Sequence, residues 1–136
     1  MKIQLTSVMV DDQQKALTFY TNILGFILKA DIPMGEYRWL TVVSPDGSRS
    51  VELLLEPNVN PAAKAFQKAM YDQGIPASMF AVSDIQQEYQ RMKILGVKFR
   101  SAPASMGPLI AAVLDDTCGN LIQLYQEARH GGSQPA

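Results

Sequence analysis

Asp12-Gln13-Gln14-Lys15-Ala16-Leu17-Thr18-Phe19-Tyr20-Thr21-Asn22-Ile23-Leu24-Gly25-Phe26 recurs in weaker form in the second half of the same chain. Val82-Ser83-Asp84 repeats Val10-Asp11-Asp12, and Ile94-Leu95-Gly96-Val97 repeats Ile23-Leu24-Gly25-Phe26; the Asp-to-Gly spacing differs by one residue. Further echoes keep nearly the same offset: Met34-Gly35 with Met106-Gly107, and Val51-Glu52-Leu53-Leu54 with Ile122-Gln123-Leu124-Tyr125. The turns Pro45-Asp46-Gly47 and Thr117-Cys118-Gly119-Asn120 stand before those last segments. Self-similarity on this scale marks a duplicated supersecondary unit, and a pocket is expected between its two copies.

Outward from the repeat, residues 3–10 alternate as a strand should, with Ile3, Leu5, Ser7 and Met9 on one face and Gln4, Thr6, Val8 and Val10 on the other. Asp11 and Asp12 supply a cap and favourable charge for a helix whose apolar stripe is Ala16, Phe19, Tyr20, Ile23 and Leu24, and Gly25 ends it. Strands are expected over 26–31, 37–43 and 50–55, with Pro33-Met34-Gly35 and Ser44-Pro45-Asp46-Gly47 as breaks. Asn60 and Pro61 open a connecting helix that runs to Asp72 and stops at Gly74. The second copy then predicts a strand at 77–82, a helix at 84–95, and strands at 97–101, 109–114 and 121–125. The order is βαβββ twice over, an α+β domain and not a doubly wound parallel sheet. Module one is assigned to about 1–57, the connecting helix to 58–74 and module two to 75–126. The Gly-rich residues 127–136 are expected to form a flexible tail.

A chain of 136 residues buries a core without staples. Cys118 is the only cysteine, which excludes an internal disulfide and a multi-cysteine metal site and suits a reducing compartment; it is read as a tolerated turn residue. Twelve Lys plus Arg against thirteen Asp plus Glu, with neither sign in a block, give no electrostatic case for nucleic acid or an anionic membrane. No apolar run approaches the ~20 residues that span a bilayer, and no signal-peptide core is visible. A cytoplasmic location is expected.

Val10-Asp11-Asp12, Lys15-Ala16-Leu17-Thr18-Phe19-Tyr20 and Leu24-Gly25-Phe26 resemble the glyoxalase, bleomycin-resistance and extradiol-dioxygenase (vicinal oxygen chelate) superfamily. The resemblance covers about residues 3–126, supported by Leu95-Gly96-Val97 and by the run from Asp115 to Leu124. It implies a single domain over 1–130, in which two βαβββ modules form a curved, mostly antiparallel sheet around a cavity, and a homodimer. It also implies that metal-using members carry His, Gln or Glu on the first strand of each module and Glu or His on the last. Counted back from the capping aspartates, the first-strand positions fall on Leu5 and Ala77, and the last-strand positions on Glu52 and Gln123. Leu and Ala cannot ligate, and two oxygen donors fall short of the roughly three protein ligands of a catalytic divalent metal. Gln4 is one residue out of register and faces the other way. The lone His130 stands in the tail.

No metal or other cofactor is therefore expected. The expected pocket has Leu5, Ala77, Met79 and Tyr125 as an apolar floor, Glu52 and Gln123 as its polar pair, and Arg38 and Trp39 at the rim. Tyr37 and Trp39 serve equally well as cross-strand packing residues, and Arg38 as a solvated one. The implied function is binding of a small organic molecule. The rival is a metal-dependent lyase, isomerase or dioxygenase in which Glu52 acts as base or ligand.

Overall fold

The structure, a computed structural model, describes residues 1–46 and 51–128. The expected strand start at Ser50 and the tail from residue 129, His130 included, lie outside the described residues. Strand β1 (Leu5–Val10) leads to helix α1 (Gln13–Thr18), which loosens into a π-helical turn over Phe19–Ile23. Strands β2 (Ile27–Met34), β3 (Tyr37–Val43) and β4 (Glu52–Pro57) complete the first unit, and α2 (Pro61–Asp72) connects it to the second. That second unit is β5 (Ser78–Ala81), α3 (Ile85–Ile94), β6 (Phe99–Met106), β7 (Leu109–Asp115) and β8 (Leu121–Glu127).

Each unit makes its own four-stranded sheet, ordered β1-β4-β3-β2 and β5-β8-β7-β6. The outer strand β1 runs parallel to β4, and β5 parallel to β8, while the remaining pairs are antiparallel. No sheet closes on itself. Helix starts follow local chemistry: the Asp12, Asn60 and Asp84 side chains accept the amides of Lys15, Ala62 and Gln87. The Met-Gly echoes are matching two-residue hairpin turns, closed by Met34 opposite Tyr37 and by Met106 opposite Leu109.

Two strands run further than their breakers suggested. β2 continues through Pro33 and β6 through Pro103. Both are edge strands, where a residue without an N–H leaves no ladder bond unmade on the outward side.

Alternation sorts each sheet into a packed and an open face. Val8, Val10, Leu40, Val42, Leu53 and Leu55 belong to the buried core, as do Ala112, Leu114, Ile122 and Leu124 of the second sheet. Ala16, Phe19 and Tyr20 of the first unit and Ile85 and Met92 of α3 fill the space between. Tyr20 lies edge-on to Phe80 with ring centres 6.5 Å apart, and Phe26 to Phe80 at 5.1 Å, so one core spans both units. The opposite faces carry Leu5, Ser7, Trp39, Thr41, Glu52 and Leu54 on sheet one, and Met79, Ala111, Val113, Leu121, Gln123 and Tyr125 on sheet two.

Candidate functional site

The open face of sheet one is built in rows. Leu5 pairs with Glu52 across the parallel β1–β4 ladder, and β3 and β2 continue that row with Val43 and Ile27. In the next row Thr41 pairs with Leu54 on one side and Ala30 on the other. Trp39, opposite Ile32, forms the third. Thr41, Val43 and Leu54 are buried as the floor, whereas Leu5, Ile32, Met34 and Tyr37 remain exposed around it. A buried floor with an apolar rim is what this alternation produces when one face of the sheet packs on the core and the other is left open.

Two polar features interrupt this surface. Glu52 meets Lys29 Nζ at 3.4 Å, with the carboxylate side chain 17 % exposed and the lysine 49 %. Thr41 is fully buried, and its Oγ1 has no hydrogen-bond partner among the described residues. Glu52 also borders a cavity of about 250 Å³ whose far wall is Ser78, Met79 and Phe80 of the second unit. A second cavity, about 280 Å³, lies under α2 between Met9, Phe66, Met70, Ile75 and Leu121.

Gln123 stands on the open face of sheet two, opposite Met79, and donates to its sulfur at 3.6 Å. Tyr125, half-buried, shares that face opposite Ala81 and Ala111. Ala77 lies one step before β5, its N–H donating to the carbonyl of Leu121. The counterpart of the Leu5–Glu52 pair is thus Met79–Gln123, two residues along from the expected Ala77. Met79 and Glu52 line one cavity; Glu52 and Leu5 share one sheet face, and Ala77, Gln123 and Tyr125 share the other.

Arg38 is not with Trp39. Neighbours in a strand face opposite ways, and Arg38 turns to the packed side, where it holds Asp31 bidentately at 3.0 and 2.8 Å and Gln14 Oε1 at 3.0 Å. Its guanidinium lowers the Asp31 carboxyl below the usual range, and the same contact raises Arg38. Buried Gln13 sits beside it, donating to the carbonyls of Arg38 and Leu55 and accepting from the Arg38 amide, so it bridges β3 and β4 where their ladder ends.

The donor set does not fit a divalent metal. Leu5 and Met79 flank the two oxygen donors Glu52 and Gln123, and Gln4 lends Glu52 only its backbone carbonyl, 2.9 Å from the Glu52 amide. Among the described residues no three His, Cys, Asp or Glu side chains converge.

Between the units lies a buried polar knot invisible to local pattern. Asp116 accepts from Tyr20 Oη at 2.6 Å, from Asn120 Nδ2 at 2.8 Å, and from the amides of Cys118 and Asn120. Gln67 of α2 reaches in to Met9 O, Cys118 O and Asn120 Oδ1. Burial raises the Tyr20 hydroxyl well above its ordinary value, aided by Asp116, and raises Asp116 as well, against its hydrogen bonds. Cys118, expected as a simple turn residue, is wholly buried in the core, and burial beside Asp116 pushes its thiol up to about 12.

Residues 2–124 match the model of the Glyoxalase/Bleomycin resistance protein/Dioxygenase superfamily. The chain is 58% identical over 127 residues to the uncharacterized protein YurT of Bacillus subtilis (strain 168), covering 93% of this chain and 100% of that one. Among solved structures, UcmS2 superposes with a TM-score of 0.79 at 29% identity, over 92% of this chain and 97% of the other. TnmS3, an antibiotic binding protein from Streptomyces sp. CB03234, does so with 0.72 at 28%, over 94% and 97%. The chain therefore belongs to the glyoxalase/bleomycin resistance protein/dioxygenase superfamily.

Proposed function

We propose that this protein binds a small organic molecule on the open face of sheet one and works by holding it, without a metal and without turnover. The observation that carries the reading is the pairing of Leu5 with Glu52 and of Met79 with Gln123: the strand positions that serve metal ligation in the superfamily here present hydrocarbon and a thioether. What surrounds them is aromatic and aliphatic, with Trp39 and Tyr37 at the rim and few polar groups, the composition that suits an organic ligand. The likeness to an antibiotic binding protein supports the same class of ligand.

The described residues contain no helix long and apolar enough to cross a membrane. We place the protein in the cytoplasm and read it as a homodimer: Ile32, Met34 and Tyr37 expose an apolar patch at the β2–β3 end of the open face, away from Leu5 and Glu52, on which a second copy would pack. Nucleic acid is not among its partners in this reading, given a net charge of −1.

A thermal-shift screen of aromatic and antibiotic-like compounds tests the binding reading. A ligand at about 100 times its Kd adds roughly 2.7 kcal/mol to the native state, which raises the midpoint by several degrees. A screen in which no compound class moves the midpoint overturns it. Stoichiometric Zn, Ni, Mn or Fe on protein purified without chelator, lost in Glu52→Ala, would instead favour the metal-dependent enzyme.

A further inference from the structure

We propose that Glu52 is the anchor for the ammonium group of an organic cation, and that Lys29 is an internal stand-in which such a ligand displaces. This rests on the open face being the binding surface, and it names the chemistry that face selects.

Strand β2 carries a bulge. Along β2, Leu28 pairs with Val42 and Ala30 with Thr41, so Lys29 is the extra residue between two consecutive partners. A bulge re-aims the side chain it inserts, and this one is aimed across the open face. Strand β3 separates β2 from β4, and neighbouring strands lie ~4.8 Å apart, so the Lys29 stem must cross β3 to bring its ammonium to Glu52. It is a strap over the floor at the level of Thr41 and Val43.

Three features make the strap displaceable and its replacement cationic. The contact is loose, at 3.4 Å with Lys29 half exposed, whereas Arg38 on the packed face grips Asp31 bidentately at 2.8 and 3.0 Å. Exposed pairs of the looser kind hold little free energy. In the β3 row next to the bulge, the Thr41 hydroxyl is buried without a partner among the described residues, an unmade hydrogen bond that an ammonium N–H could complete. The register also places Glu56 on the open face, in the row of Trp39, so the strand residues there carry two carboxylates against one cation. Trp39 shares the open face and is an aromatic neighbour for a flat cationic body.

The test uses three matched probes on the intact protein: naphthylmethylamine, naphthylmethanol and naphthoic acid, titrated by NMR. The amine is expected to bind about tenfold more tightly than the alcohol, and the acid most weakly. Lys29→Met removes the competitor and keeps the stem, so it should tighten the amine about tenfold and leave the alcohol unchanged. Glu52→Gln should erase the preference for the amine. Equal affinity for all three probes, tightest binding of the acid, or weaker amine binding in Lys29→Met each overturns the proposal while leaving an open-face binding site in place. Failure of all three probes to bind overturns the proposal, and the open-face reading is then decided by the wider thermal-shift screen.

Discussion

Tyr20 of the first repeat donates its hydroxyl to Asp116 of the second at 2.6 Å, and both residues are fully buried. The bond ties the π-helical turn of one unit to the turn before β8 of the other, and among the described residues no Lys or Arg pairs with the carboxylate; four donors do that work, from Tyr20, the Asn120 side chain and the amides of Cys118 and Asn120. Hydrogen bonds to a charged group are the strong ones, so Tyr20→Phe is expected to cost about 1.5–3 kcal/mol. Urea unfolding should show a lower midpoint with an unchanged slope. A loss below about 0.5 kcal/mol, the scale of an ordinary surface substitution, would mean that the knot does not join the repeats.

The same carboxyl gives a pH dependence with a definite sign. Burial raises Asp116 above its ordinary 3.8 in the folded chain, the bonds from Tyr20 and Asn120 pulling it back in part. The folded state therefore keeps a proton that the unfolded state has lost, and stability from this group is full below 3.8 and declines as pH rises through the raised folded value. A carbon-detected NMR titration of the Asp116 carboxyl should give a midpoint above 3.8. Because the Tyr20 bond is one of the lowering influences, Tyr20→Phe should move that midpoint further up; a downward move would contradict the assignment.

Much of the architecture was legible because it is written locally. Asp12, Asn60 and Asp84 cap their helices through side chains two or three residues from the amides they bind, and the repeat fixed two βαβββ units before any contact was known. The site was less legible because its determinants are pairings across strands. Trp39 and Arg38 are neighbours in sequence yet serve opposite faces. Whether Ala77 or Met79 stands opposite Gln123 depends on how β5 slides along β8, which no residue of β5 announces. Lys29 is an ordinary strand lysine until a bulge that carries no Gly or Pro aims it at Glu52. Cys118 sits in a turn by composition, but that turn is folded under Gln67 of α2.

Cys118 should be chemically silent in the folded protein. With its thiol raised to about 12 by burial and by Asp116, almost no thiolate exists at neutral pH, and the side chain has no exposed surface. Iodoacetamide at pH 8 is expected to label the thiol only in denaturant, one equivalent per chain. Rapid labelling of the native protein would show that the turn opens or that the thiolate is stabilised.

Gly119 is expected to tolerate no side chain. Its φ is +100°, and a Cβ there would come within 2.7 Å of Gln67 Nε2, displacing the amide that bonds Met9, Cys118 and Asn120. Gly119→Ala should destabilise by about 1–3 kcal/mol from backbone strain, with the loss of those hydrogen bonds added to it. Because the two residues share one contact, Gln67→Ala combined with Gly119→Ala should cost less than the sum of the separate changes. Strict additivity in urea unfolding would show that the clash is relieved some other way.

Assembly offers the last test, since the apolar rim of sheet one is large for a surface left in water. Ile32 and Met34 are 54 % and 57 % exposed, with Tyr37 opposite Met34 at 39 %. If a second copy packs on this β2–β3 end of the face, light scattering at micromolar concentration gives twice the 15.0 kDa of one chain. Ile32→Asp then separates assembly from folding. In a lone chain that side chain already faces solvent, so the substitution should change monomer stability by no more than about 0.5 kcal/mol. In the dimer it buries an unpaired carboxylate against an apolar partner, which is costly enough to dissociate the pair. A folded 15.0 kDa particle is the expected product. A variant that remains dimeric would move the interface to another face, and a wild-type chain that is monomeric at the outset would remove the dimer from the proposal altogether.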